Sequence, residues 1–303
     1  MRSNRSVRLL TLASCVAATL SIGGHARAAD QTPAPEIHFH HVHLNVTDPA
    51  ATIGFYQKYF GANSIKYRGL SDGLLTEKSF LLLNKVATPP RSNLGTSLWH
   101  IGWAGVDGES EFAWRSNAGI GVQTPVTALG QNFFMYFWGP DRELIEVYTG
   151  SKNHRFEHFH LLATDAYATG TWFKDVLGIA PRSTTATYQG RPSSSLRIDN
   201  VNIFVFERPK AGEPYPDWYP VEARGTFGPT EGTALDHVAF SVRDIKAAFA
   251  GIERAGATIV RKPAKSTEFG FTSFFVRGPD NLLVEIVEEA PIPEGIWESK
   301  RKP

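Results

Sequence analysis

Phe39-His40-His41-Val42-His43-Leu44 is matched, without a gap, by Phe156-Glu157-His158-Phe159-His160-Leu161 further along the chain. The match stays in register as far as Gly61 and Gly178, so His41 answers to His158, His43 to His160 and Asp48 to Asp165. A fixed offset of this kind marks a duplicated supersecondary unit. The duplicated positions carry histidines, so the repeat concerns chemistry as well as fold.

The same order of elements can be read four times. Each unit opens on an alternating strand, as in Val42, Leu44 and Val46 set between His41, His43 and Asn45, which gives two distinct faces on a period of two. Asp48, Asp107, Asp165 and Asp244 then stand where helix N-caps belong, with Pro49 at the first helical position of the first copy. Gly61, Gly119, Gly178 and Gly256 suit left-handed helix ends. Short strands rich in β-branched and aromatic residues follow, among them 80–83, 132–138, 202–206 and 272–276. Gly139-Pro140-Asp141 and Gly278-Pro279-Asp280 are turns leading to strands that end near Glu146 and Glu285. The unit is βαβββ, and the chain is expected to be α+β. Units one and two are expected to form a domain over 38–150, and units three and four a second over 155–289, with a tail over 290–303.

Arg2, Arg5 and Arg8 precede an apolar run from Leu9 to Ile22 and then Ala26-Arg27-Ala28. This reads as an export signal over 1–28 and places the protein in the periplasm or outside the cell. Lipid anchoring at Cys15 is the alternative, weakened by the short apolar run before it. Cleavage after Ala28 removes the only cysteine, so histidines and carboxylates must do any metal work. It also removes four of the 31 Lys and Arg and none of the 30 Asp and Glu. The slightly acidic remainder is no footprint for nucleic acid, and no other apolar run approaches a membrane span.

His41 and His158 open units one and three, His100 and His237 open units two and four, and Glu146 and Glu285 lie on the last strands of units two and four. Each half thus offers His, His and Glu in one order. Two imidazoles and one carboxylate around an ion, with positions left open, is the facial set used for Fe(II) oxygen chemistry and by some Lewis-acid zinc sites. On the alternating strands, Gly102 shares a face with His100 and Ala239 with His237, small residues expected to leave room for substrate. His43 and His160 should face the same interior, as general bases, as donors to substrate or as plain polar core residues. His38, His40 and His154 read as surface residues. A Pro-rich, aromatic segment over 208–232, containing Trp218, is expected to rim the pocket of the second domain, because it precedes the strand bearing His237.

Residues 38–289 resemble the vicinal oxygen chelate superfamily, which includes glyoxalase I, methylmalonyl-CoA epimerase, extradiol ring-cleaving dioxygenases and fosfomycin and bleomycin resistance proteins. The resemblance rests on His41-Val42-x-Leu44-x-Val46-x-Asp48, His100-Ile101-Gly102, His158 to Asp165, Asp236-His237-Val238-Ala239-Phe240-x-Val242-x-Asp244 and the two Gly-Pro-Asp turns with their downstream Glu. It implies four βαβββ units paired into two half-open barrels, with His41, His100 and Glu146 as ligands in one and His158, His237 and Glu285 in the other. The superfamily's lyase and isomerase members carry a fourth, acidic or amide ligand where this chain is expected to have Leu81 and Phe204. Its dioxygenases carry a Tyr ten residues before the ligand Glu, a place held by Tyr136 in one half and Phe275 in the other. Arg142 and Asn281 depart from the Gly or Pro usual in the turn.

The resemblance therefore implies a divalent-metal enzyme acting on a small substrate that chelates through two oxygens. An extradiol-type dioxygenase using His43, Tyr136 or His160 comes first, and a glyoxalase-type isomerase or lyase second. Fe(II) or Mn(II) is the expected metal, with Zn(II) or Ni(II) as alternatives. The expected partner is a small-molecule substrate, with a homodimer left open. A non-catalytic binding protein is the remaining reading, and it would be marked by missing ligands.

Overall fold

The computed structural model describes residues 36–292; the expected export signal and the end of the tail lie outside the described residues. Unit one comprises β1 (Ile37–Val46), α1 (Pro49–Phe60), β2 (Asn63–Tyr67), β3 (Ser71–Thr76) and β4 (Ser79–Lys85). Unit two follows with β5 (Leu98–Ala104), α2 (Gly108–Asn117), β6 (Val122–Leu129), β7 (Asn132–Trp138) and β8 (Leu144–Tyr148). Unit three has β9 (Arg155–Ala163), α3 (Ala166–Leu177), β10 (Thr187–Tyr188), β11 (Arg191–Ile198) and β12 (Val201–Glu207). Unit four has β13 (Leu235–Val242), α4 (Ile245–Arg254), β14 (Thr258–Lys265), β15 (Thr272–Arg277) and β16 (Leu283–Glu288).

All four aspartates cap as expected: Asp48, Asp107, Asp165 and Asp244 each accept a hydrogen bond from a backbone N–H of the following turn. That satisfies donors a helix start leaves without an internal partner. Gly61 and Gly178 end their helices in the left-handed region, at φ 68 and 72.

The units pair differently from the expected order. Two eight-stranded mixed sheets form, in the orders β2-β3-β4-β1-β13-β16-β15-β14 and β6-β7-β8-β5-β9-β12-β11-β10. Unit one therefore pairs with unit four, and unit two with unit three, so neither 38–150 nor 155–289 is a self-contained sheet. Connection length explains the arrangement. The short link 149–154 carries the chain only from β8 past β5 to β9, while 86–97 and 208–234 are long enough to cross between sheets. Those two crossovers run side by side, joined by bridges between Arg91 and Thr233 and between Thr96 and Gly228.

The Gly-Pro-Asp turns supply the contacts between units of opposite sheets. The Asp141 carboxylate accepts from the N–H and hydroxyl of Thr47, and Asp280 does the same for Thr164. Arg142 and Asn281, the departures in these turns, adopt φ of 66 and 63, a region in which a side chain is disfavoured. One core joins the sheets, with Phe39 of β1 against Phe156 and Phe159 of β9 and Phe240 of β13 at ring separations of 5.5–5.9 Å. No helix among the described residues is long and apolar enough to cross a membrane.

Candidate metal centres

The six expected ligands are all buried, and sheet pairing sorts them into two clusters. The first joins His100 of β5, Glu146 of β8 and His158 and His160 of β9. The second joins His41 and His43 of β1 and His237 of β13, with Glu285 of β16 beside them. His100 thus stands with His158 rather than His41, and Glu146 serves the first cluster alone. The expected split fails because the ligand-bearing first strands pair as β5–β9 and β1–β13, with His100 opposite His160 and His43 opposite His237.

In the first cluster the Nε2 atoms of His100 and His158 lie 2.9 and 3.0 Å from Glu146 Oε2, and His160 Nε2 lies 3.8 Å from the same oxygen. His158 reaches this point through a vacancy in the opposite strand. A Cβ built on Gly102 would lie 1.9 Å from His158 Nε2, so the space expected for substrate is filled by a ligand candidate. His158 Nδ1 faces Glu157 at 3.3 Å, whereas His100 Nδ1 is buried without a partner.

In the second cluster His237 Nε2 lies 3.1 Å and His41 Nε2 3.4 Å from Glu285 Oε2, and His41 Nε2 is buried with no hydrogen-bond partner. Asp236 holds His237 Nδ1 at 2.6 Å, and His40 lies 2.7 Å from His41 Nδ1 with Tyr67 on its far side. His40 and His154 are therefore not surface residues. His154 is buried against Glu111, while His38 is partly exposed and bonded to Asp199.

Burial alone would lower every one of these imidazoles, and it does so for His100, His41, His160 and His43. In His158 the hydrogen bonds to Glu146 and Glu157 outweigh it and raise the group to about 9, and Asp236 and Glu285 do the same for His237. Burial would raise Glu146 and Glu285, but their imidazole partners hold both well below the usual carboxylate range.

These donor sets fit a divalent cation. Imidazole nitrogens converge on a buried carboxylate oxygen, a lone nitrogen (His41 Nε2) faces the centre, and neighbouring groups orient three of the rings from behind. The residues behind the ligands were missed as a set, although the acidic residue directly before the histidine in Glu157-His158 and Asp236-His237 was a usable signal.

The surroundings differ. Beside the first cluster lies a cavity of about 410 Å³ walled by Tyr136, Tyr148, Tyr188, Phe204 and Phe206, with Ser193, Ser195 and Glu157 among its polar lining. Tyr136 pairs with Glu146 across β7 and β8, and its ring centre is 5.0 Å from that of His100. Burial and the Glu146 charge push its phenol well up, so it stays protonated at ordinary pH. Beside the second cluster a cavity of about 480 Å³ is more polar, and Phe275 pairs with Glu285 where the first has Tyr136. No acid stands opposite the cluster histidines on the fourth-ligand strand of either site; Glu207, at the end of β12, lies opposite Ala163 and accepts from the Ala166 N–H. Phe204 lies opposite His160, and Phe80 and Leu82 lie opposite His41 and His43; Leu81, the expected residue, pairs with Val42 and faces the core.

The aromatic part of the Pro-rich segment packs on the first site, and only its end reaches the second, where the Gly232 N–H donates to Asp236. Trp218 stacks on Trp99 at 5.5 Å and donates to Gln189, and it meets Tyr188 and Phe206 edge-on at 5.9 and 5.8 Å. It supports the cavity wall from behind.

Residues 155–286 match the sequence model of the family described as Glyoxalase/Bleomycin resistance protein/Dioxygenase superfamily. That segment is units three and four of the fold, so the second half of the described chain is similar in sequence to this superfamily. Among solved structures, glyoxalase I from Zea mays is 14% identical with a TM-score of 0.65, over 84% of this chain and 92% of that one. A protein of Bacillus subtilis described as a proposed dioxygenase is 12% identical with a TM-score of 0.57, over 84% and 86%. At these identities the likeness to either is one of fold. No curated protein matches the chain in sequence.

Proposed function

We propose that this protein is a vicinal oxygen chelate enzyme, exported and divalent-metal-dependent, whose working site is the first cluster, and that it acts on a small aromatic substrate chelating through two neighbouring oxygens. The observation that carries this reading is the convergence of the His100 and His158 nitrogens on Glu146 beside a cavity walled by aromatic rings. His100, His158 and Glu146 would hold the ion, which supplies charge stabilisation and a binding point for substrate oxygens. The aromatic walls would orient a flat ring, and the protonated Tyr136 phenol would donate to an oxygen bound beside His100.

An extradiol-type ring-cleaving dioxygenase using Fe(II) or Mn(II) is the version we favour, supported by Tyr136 and by Phe204 where a fourth, acidic ligand would otherwise stand. A glyoxalase-type isomerase or lyase is the second version, supported by the additional imidazole His160. Protein loaded anaerobically with Fe(II) or Mn(II) and mixed with a panel of catechols should consume one O₂ per substrate. Product formation without O₂ uptake would favour the second version. Metal binding with no turnover of any chelating substrate would leave a binding protein.

A further inference from the structure

We propose that His160 is itself a ligand, making the first site a centre of three imidazoles and one carboxylate: His100, His158, His160 and Glu146. The proposal rests on the reading of this cluster as a metal site and deepens it. The His160 ring is buried among Phe204, Phe206 and Trp99, and its Nδ1 has no partner. Its Nε2 stops 3.8 Å from Glu146 Oε2, too far for a hydrogen bond. Nε2 has no hydrogen-bond partner within the protein and stands at the cavity with the other ligand atoms, so its lone pair is available to an ion.

The distances suit a shared ion. One ligand atom from each of the four residues lies within 4.8 Å of all the others. Bonds of about 2.1 Å to a common ion place neighbouring ligand atoms about 3 Å apart and opposite ones about 4 Å apart. His160 also stacks on His100 at 4.4 Å and 22°, which brings the two rings to the centre side by side. The second site repeats the arrangement with different residues. His43 stacks on His237 at 4.6 Å and 25°, and His41, His43 and His237 meet the same distance condition. The equivalent position in the duplicated unit thus faces the same kind of donor cluster.

Four protein ligands leave two positions of an octahedral ion, enough for the two oxygens of a chelating substrate.

The test is NMR of the full-length protein carrying ¹⁵N-histidine and loaded with ¹¹³Cd(II), in which each coordinated imidazole nitrogen is split by the metal. Three split nitrogens are expected on the ion at the first site. His160→Asn should leave two and raise the Cd(II) dissociation constant of that site about tenfold or more. Two split nitrogens in the unaltered protein, from His100 and His158 alone, would overturn the proposal while leaving the metal site intact, even if His160→Asn fails to fold. Absence of bound Cd(II) from the first site would instead remove the metal reading together with this one.

Discussion

Gly102 stands opposite both His158 and Glu146, and the His158 imidazole occupies the volume where a Cβ of Gly102 would be. The glycine is therefore part of the site without offering any chemistry of its own. Gly102→Ala should push His158 away from Glu146, because the clash is with a ring packed on β9 rather than with the end of a flexible chain. We expect metal affinity at the first site to fall about 10–100-fold, the range seen when ligand orientation is lost. The second site, where Ala239 already stands opposite His41, should be unaffected. Competition titration with a chromophoric chelator reads both, and unchanged affinity at both sites would show that His158 is not a ligand.

Sheet pairing predicts how ligand substitutions group. His100→Ala and His158→Ala should each abolish one metal equivalent, and the double variant should lose no more than either. His41→Ala and His237→Ala should together abolish the other equivalent. Elemental analysis of the four single and two double variants checks this. A loss of both equivalents in the His100→Ala, His158→Ala protein would mean that the clusters do not hold separate ions.

How much of this was legible beforehand differs by level. The aspartate caps and the strand after each helix depend on local chemistry, and they lie where that chemistry puts them. The burial of all six ligand candidates was legible too, because a histidine at equivalent positions of duplicated strands is more than a local coincidence. Which unit neighbours which was not. A repeat defines the units but leaves open whether β1 pairs with β5 or β13, and that choice is made by the lengths of 149–154, 86–97 and 208–234. The Pro-rich segment was misplaced for the same reason: it precedes His237 in the chain but crosses over the other sheet to get there. His40 is buried because both faces of β1 are covered, which alternation does not reveal, and His154, in the link before β9, is buried by its contact with Glu111.

Trp218 offers a test of the corrected placement. Trp218→Ala removes an indole that stacks on Trp99 and backs Tyr188 and Phe206. It should cost about 1–3 kcal/mol of stability, less than the 3–5 typical of a fully buried Trp because this side chain is only partly covered. Metal content should not change, and binding of an aromatic ligand at the first site should weaken through the loosened wall. Denaturant melts and ligand titration separate the two effects. Weakened binding at the second site instead would restore the original placement.

The pH dependence of metal binding follows from His158 and His237, both raised to about 9 in the metal-free protein. Each proton must leave before its nitrogen can bind an ion, so affinity should climb with pH throughout the range below about 9 and flatten above it. Metal-free stability should move the other way. A folded-state value raised above the unfolded one contributes stability that is complete below about 6.5 and is lost as pH rises through about 9. Thermal melts of chelator-treated and metal-loaded protein across this window should diverge with pH. Parallel curves would show that the bound ion does not replace these protons.

Glu143 supplies a second linkage, away from both sites. Its side chain is buried, accepts from the Tyr56 hydroxyl and the Asp141 N–H, and is pushed up to about 7 by burial. The folded protein thus holds a proton that the unfolded chain releases near 4.5. Stability from this group is complete below about 4.5 and is lost as pH rises through about 7, because above that a charge must be kept in the core. Glu143→Gln keeps the size and one acceptor of the protonated acid while removing the titration. The variant should match the original protein near pH 4.5 and exceed it by about 1–3 kcal/mol at pH 8. Urea unfolding of both proteins at the two pH values is sufficient. A variant less stable than the original at pH 8 would mean that Glu143 is ionised in the folded state and that its charge is stabilised by the turn it closes.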